Sequence, residues 1–500
     1  MKKFKVKVYD IDQGRFEAVL NEQIAHHLDF QVLGRVCLRY GKKSYSAILD
    51  VSRSFPKDRI GLFKEAADAL GVKNGDVISI SYSPRPAGLE FVRKKLDGDN
   101  LEASELKQII DDLMQQNLSP EELSAFITAV YIRGLNTDET VALTNAIFES
   151  GGALSFDKSP VASVHSIGGV AGDRVSILIT AILASMGVIV PKTCTRAISS
   201  ASGTADAMEC LAPVELDIAQ VKAVIKKAGG CVVWGGAVNM AAADDLMIRV
   251  RRPLRLDPES LVLASVLAKK KAEGAEFVLI DLPVGRDAKI EDRKRAKKFA
   301  QEFESLGTHL GMKVKCTVTD GSEPALKQIG PVFEARAVLE ALGEGKHERL
   351  IEKACLLSGI LLSMFKGVTK EEGYKMALQR VESGKAFEKL KEIIKAQGGN
   401  PKIKPSDLRL GKFKKTVYAK EEGVIEHVSS KAISKIARAL GAPADKNAGI
   451  EFFVVKNDKV KQGDKLFDLY SDSRDKLAFA LKQLESTQLV EIQRILLDVV

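Results

Sequence analysis

A chain of 500 residues with 45% hydrophobic, 28% charged and 6% aromatic side chains exceeds one hydrophobic core and excludes a disordered or fibrous chain. Its 75 basic and 66 acidic side chains leave +9, but the charges are interspersed, so a mixed-charge surface with one anion site explains the sign and nucleic acid is not expected as a partner. Six widely spaced cysteines without a CxxC argue against a disulfide framework and structural zinc, and MKKFKVKVYDID has no apolar signal region, so a soluble, cytoplasmic chain with no membrane partner is expected.

From Lys5 to Tyr82 the pattern is β-rich. FKVKVYDI alternates, VLGRVCLRYG and SYSAILDV follow, and GLFKEAADALG reads as a short helix before VKNGDVISISYS, which together predict a small barrel. Ser83-Pro84-Arg85-Pro86 reads as a linker. Between Ser104 and Phe148 the period turns helical, with Ser119-Pro120-Glu121-Glu122 supplying an N-cap, a first-turn proline and acids. Beyond Val164, helix-like and strand-like segments alternate, notably helix Ile218 to Ala228, strand Gly230 to Trp234, helix PESLVLASVLAKKKAEG and strand EFVLIDLPVG. Such alternation predicts α/β layers on a parallel or mixed sheet, with ligands at the carboxyl ends of the strands. From Lys412 the texture is that of an α+β terminal domain with a final helical tail. The expected fold class is thus multidomain α/β and α+β: a barrel over 1–84, a helical domain over 85–163 with 246–275 packing on it, a central mixed- or parallel-sheet α/β domain over 164–411, and a C-terminal α+β domain over 412–500.

The stretch from Val164 to Glu209 looks most like a site. Gly168, Gly169 and Gly172 precede the apolar run Val175 to Ala184, a layout in which backbone N–H groups and a helix N-terminus can meet an anion. Close behind come Thr193, Thr195, Arg196, Ser199, Ser200, Ser202, Gly203 and Thr204, and two such clusters suggest two phosphate-like groups. Asp257, in LDPES, fits a helix cap as well as an acid, and His165 fits a core position as well as a ligand; spacing does not choose. Asp244-Asp245 reads as structural, and Lys269 to Lys271 and Arg249 to Arg255 are local basic concentrations that suit a phosphorylated substrate.

HSIGGVAGDRVS, TRAISSASGTADAMECLAPV, VVWGGAVNMAAADD, LASVLAKKKAEGAE, FEKLKEIIKAQGG and IARALGAPADKNAGIEFFVVKNDKVKQGDKL together resemble the thymidine/pyrimidine nucleoside phosphorylase family, over roughly Val164 to Ser471. The barrel, VHSIGG and LDPESLVLASVLAKK look closer to its archaeal, AMP-cleaving branch. The resemblance implies a nucleoside phosphorylase/phosphoribosyltransferase-like fold and phosphorolysis of a nucleoside 5'-monophosphate to ribose 1,5-bisphosphate and free base. AMP and inorganic phosphate are then the small-molecule partners, with no cofactor and no metal, and a homo-oligomer, dimer or larger, assembles through the barrel. It assigns AMP binding to Gly169, Thr195, Arg196, Ala197, Ile198, Ser199, Ser200, Thr204, Ser265 and Lys289, the acid role to Asp257, a phosphate site to His165, Ser166 and Ser176, and an additional contact to Lys269. The alternative is a pyrimidine nucleoside phosphorylase; an anthranilate phosphoribosyltransferase-like enzyme shares the fold.

Two departures from thymidine phosphorylases point to different recognition. Val164 stands where they place Lys, and Val250, flanked by Arg249 and Arg251, stands where they place the pyrimidine-binding Arg. Cys194 replaces a Ser, with Thr195 next to it to supply a hydroxyl. An ordinary carboxyl is ionised at pH 7, so Asp257 is expected either to be buried or to share its proton only as the bond to the base breaks.

Overall fold

The computed structural model describes residues 2–157, 160–197 and 200–493. By internal contacts the chain divides into two units, Met1–Gly151 with Ala241–Ser265, and Gly152–Met240 with Val266–Val500. The sequence boundaries at 84 and 411 fall inside these units.

In the first unit six strands close a barrel in the order β1-β5-β2-β4-β3-β6: β1 Lys2–Tyr9, β2 Glu17–Asn21, β3 Arg35–Tyr40, β4 Lys43–Ser52, β5 Arg59–Phe63 and β6 Val77–Tyr82. Phe4, Val6, Leu38, Leu49, Ile78 and Ile80 alternate inward, as the period-2 pattern requires. β2 and β5 were not expected. Each has five residues and buries neighbours on both faces, so neither alternates. Helices Ala103–Met114, Pro120–Arg133 and Thr137–Glu149 follow the sequence signals. Ser119 Oγ accepts from Glu122 N at 3.2 Å and Glu122 Oε2 accepts from Ser119 N at 2.8 Å, the reciprocal cap that Ser-Pro-Glu-Glu encodes. A further helix, Gly88–Asp97, starts directly after the Pro-rich linker.

The second unit is built on parallel strands: β7 Ala162–Ser166, β8 Val190–Cys194, β9 Gly230–Trp234, β10 Phe277–Val284 and β11 Lys313–Asp320. β11-β10-β7 form one parallel ladder and β8-β9 another, and the parallel bridge Val161–Ile189 sets β7 beside β8. Helix Val175–Ala184, apolar all round, lies in the core with the helices Pro331–Glu344, Glu348–Ser363 and Lys385–Ala396. Strands Phe413–Tyr418, Gly449–Phe452 and Lys465–Ser471 share a sheet with the short strand Gln328–Ile329, so the C-terminal α+β part is joined to the α/β part by strand pairing. The tail differs from expectation. After helix Arg474–Leu484 the described chain ends on a strand, Val490–Gln493, paired with Gly423–Val428.

Candidate active site

β7 delivers His165 and Ser166 to its carboxyl end, where the chain turns through Gly168, Gly169 and Gly172, all at positive φ. Gly169 shows why that conformation and that residue are needed. A Cβ there would lie 2.7 Å from Lys289 N and 2.9 Å from Ala288 Cα, so only glycine lets the loop after β7 close on the loop after β10. Two sequence-predicted residues, Gly169 and Lys289, are thereby brought together at strand carboxyl ends, and the Lys289 side chain is exposed there.

The charge around His165 is cationic. Burial pushes its pKa well below the ordinary histidine value, and Lys270, Lys192, Lys269 and Lys289 push it the same way, so the ring is neutral at pH 7 beside a group of ammonium ions. Part of the His165 surface stays accessible. Ser166 Oγ is buried without a hydrogen-bond partner among the described residues, and Ser176 sits partly exposed in the first turn of Val175–Ala184. The Asp173 carboxylate also lies at that helix start, where Lys353 neutralises it at 2.8 Å while also meeting Asp281 at 2.9 Å. Burial works against the Lys353 charge, but the two carboxylates hold its pKa above the lysine range.

The hydroxyl-rich loop is cinched by one buried acid. Asp206 Oδ2 accepts from Ala197 N at 2.7 Å and from Gly203 N at 2.8 Å, closing the loop that follows β8. Thr195 is exposed at its start; Ser200 Oγ donates to Ser202 O at 2.9 Å. Thr204 Oγ1 accepts from Arg174 at 3.0 Å. Ile198 and Ser199 lie outside the described residues. The Arg196 guanidinium is committed to protein carboxylates, Glu209 at 2.6 Å and Glu215 at 2.8 Å, and lies over the Trp234 ring. Cys194 donates to Val233 O at 3.2 Å, and burial pushes its thiol up to about 12, which makes it an inert packing group.

In the first unit, helix Ala242–Leu254 carries Arg251, whose Nη1 is 3.6 Å from Asp257 Oδ1 and has no hydrogen-bond partner among the described residues. The Asp257 side chain is 56% exposed, so it is not the buried carboxyl that was one of the two expectations for it. Ser265 is buried and donates to Asp244 Oδ2 at 2.7 Å.

Sequence reasoning missed the polar residues beneath the site. Glu273, fully buried, accepts from Lys270 Nζ at 2.7 Å, Ser163 Oγ at 2.5 Å and Thr193 N at 2.9 Å, tying the end of helix Glu259–Ala272 to β7 and β8. Lys270 is therefore unavailable to a ligand, although it lies in the basic run. An acid in the last turn of a helix, where cations are favoured, was the available signal. Arg174 was missed too: it donates to Glu334 at 2.6 Å and to Ser202 O at 3.0 Å. Burial pushes the Glu334 carboxyl up while Arg174 pulls it down. Lys192, inside a buried strand, donates to Val164 O at 2.9 Å, and burial together with Lys270 lowers it to about 8.

That last shift carries a pH prediction. Lys192 is charged below about 8 and neutral above it, so the cationic potential at His165 weakens as pH rises through that value. KM for inorganic phosphate, already dianionic there, should rise above pH 8 in steady-state assays, and Lys192→Met should flatten the rise. An equally steep rise in the variant would contradict the assignment.

Comparison with known proteins adds the family. The glycosyl transferase family helical bundle domain matches residues 89–151, the glycosyl transferase family a/b domain 158–387, and the pyrimidine nucleoside phosphorylase C-terminal domain 424–491. The AMP phosphorylase of Thermococcus kodakarensis is 40% identical over 99% of both chains, and those of Pyrococcus furiosus and Methanocella arvoryzae are 38% identical over the same shares. The crystal structure of anthranilate phosphoribosyltransferase from Thermus thermophilus superposes with a TM-score of 0.52 at 20% identity, covering 61% of this chain and 98% of that one, a likeness of fold alone. With such identity over 99% of its length, the chain belongs to the AMP phosphorylase family.

Proposed function

We propose that this chain catalyses phosphorolysis of AMP, and of other nucleoside 5'-monophosphates, to free base and ribose 1,5-bisphosphate. The observation that carries this is full-length identity to AMP phosphorylases, barrel included. The four lysines around His165 beside a glycine-rich strand exit give the attacking phosphate an electrostatic setting.

A phosphate oxygen bonds to C1' as the C1'–N9 bond breaks, and the electron pair goes to the base, which takes a proton from Asp257. The transition state has oxocarbenium character, so the rate depends on holding phosphate in line and on neutralising the leaving base. We assign His165, Ser166 and Ser176 to the attacking phosphate, with Lys269 as an additional contact. Gly169, Thr195 to Ser200, Thr204, Ser265 and Lys289 go to AMP; of these, Arg196 acts by holding its loop, since its guanidinium is already paired. No metal or cofactor is assigned; among the described residues no cluster of metal-ligating side chains occurs. The test compares AMP with adenosine and uridine, phosphate present and EDTA added. Preference for uridine would favour the pyrimidine nucleoside reading that the C-terminal domain match raises, and loss of activity in EDTA would contradict the metal-free assignment.

We also assign assembly to the barrel, in a cytoplasmic homo-oligomer. Its own closed core supports an autonomous module. Deleting residues 1–84 should lower the particle mass by light scattering before it abolishes AMP cleavage; an unchanged mass would refute the assignment.

A further inference from the structure

The start of helix Ser430–Leu440 is where three loops of the α/β part converge. The glycine-rich loop after β7 arrives through Ala171, whose N–H donates to Ser430 Oγ at 3.3 Å. The loop after β10 arrives through Asp287, whose Oδ2 takes the Ser429 hydroxyl at 2.7 Å, His427 Nε2 at 3.2 Å and Lys431 N at 3.3 Å. The loop after β11 arrives through Glu323, whose Oε1 lies 3.1 Å from His427 Nδ1. His427 and Asp287 are buried. The three loops also bond to one another: Ala325 N donates to Ala171 O at 2.9 Å and Gly321 N to Val284 O at 2.8 Å.

We propose that His427–Lys431 is a latch by which the C-terminal part sets the geometry of the AMP-binding loops, with His427 as the positioning residue that bridges Asp287 and Glu323. Its reach is through Lys289, two residues beyond Asp287, and through Gly169, whose Cα packs on the Ala288–Lys289 backbone. The loop after β10 is thus bracketed by the glycine turn on one side and the His427 bridge on the other. Burial works to raise the Asp287 carboxyl, yet Ser429, the Lys431 N–H and His427 hold it below the ordinary carboxylate range, so the bridge is built around a charged acid. The surface pairs Arg286–Glu491 and Lys431–Glu291 add little, being exposed. The inference rests on the assignment of Gly169 and Lys289, in the loops after β7 and β10, to AMP.

The test uses the full chain and AMP as probe. His427→Gln should weaken AMP binding by calorimetry, and raise KM for AMP, by about 10-fold, while kcat at saturating AMP stays within about 3-fold, because misplacing a binding loop is felt in affinity first. Unchanged AMP affinity, or a loss confined to kcat, would overturn the latch. If His427→Gln melts below the assay temperature, Glu323→Gln, which leaves the His427–Asp287 pair in place, carries the same test with a smaller shift in the same direction. Lys289→Ala separates the two levels. Unchanged AMP affinity there removes the reading of the loop as an AMP ligand and the latch with it, whereas weakened affinity there with an unaffected His427→Gln removes the latch alone.

Discussion

Replacing Asp257 by asparagine is expected to lower kcat for AMP phosphorolysis by about 10² to 10⁴-fold, the usual contribution of a positioned general acid, with KM for AMP changed far less. Asparagine keeps the size and hydrogen-bonding outline of the side chain but cannot give up a proton to the leaving base. The surroundings of Asp257 sharpen the expectation. Its side chain is 56% exposed and Oδ1 lies 3.6 Å from Arg251 Nη1. Arg251 is buried, and its Nη1 has no hydrogen-bond partner among the described residues, so this guanidinium is the cation set beside the carboxylate. A fall in kcat matched by an equal change in KM would show that Asp257 binds substrate and transition state alike, and would remove the acid role.

Substituting Glu273 by alanine is expected to destabilise the α/β part by about 3–5 kcal/mol, the usual cost of breaking a buried ion pair from one side. The side chain is fully buried and gathers Lys270, Ser163 and both donors of Thr193. Without it the Lys270 ammonium keeps, among the described residues, the Ser163 hydroxyl at 3.1 Å and faces the like charge of buried Lys192. The change should appear as a lower unfolding midpoint in urea. Lys270→Met with Glu273→Leu, which removes both charges, should recover much of the loss, because a buried pair is costly chiefly when halved. A single variant as stable as the parent would mean that water replaces the carboxylate.

These two residues mark what the sequence did and did not disclose. Asp257 and Lys289 were assigned by family resemblance, whereas composition and spacing pointed only to an anion site, with Gly169 in its glycine run. The glycine run was legible because positive φ leaves a residue-type signature; its contact with Ala288 and Lys289 was not, because 119 positions of chain separate Gly169 from Ala288. Helices with reciprocal caps, such as Pro120–Arg133, were legible from local chemistry. The five-residue strands Glu17–Asn21 and Arg59–Phe63 were not, since burial on both faces erases the alternation that identifies a strand. The network of Glu273, Lys270 and Thr193 escaped for a related reason. Charged residues on helices read as solvated until a neighbouring strand is seen to bury them.

The central claim is AMP phosphorolysis, and the direct measurement is a product assay with AMP and inorganic phosphate, by chromatography for the base and phosphorus NMR for the sugar. Adenine and a ribose bearing two phosphate groups should appear in equal amounts, only when phosphate is present. Release of adenosine, or of adenine without a second phosphate on the ribose, would contradict it.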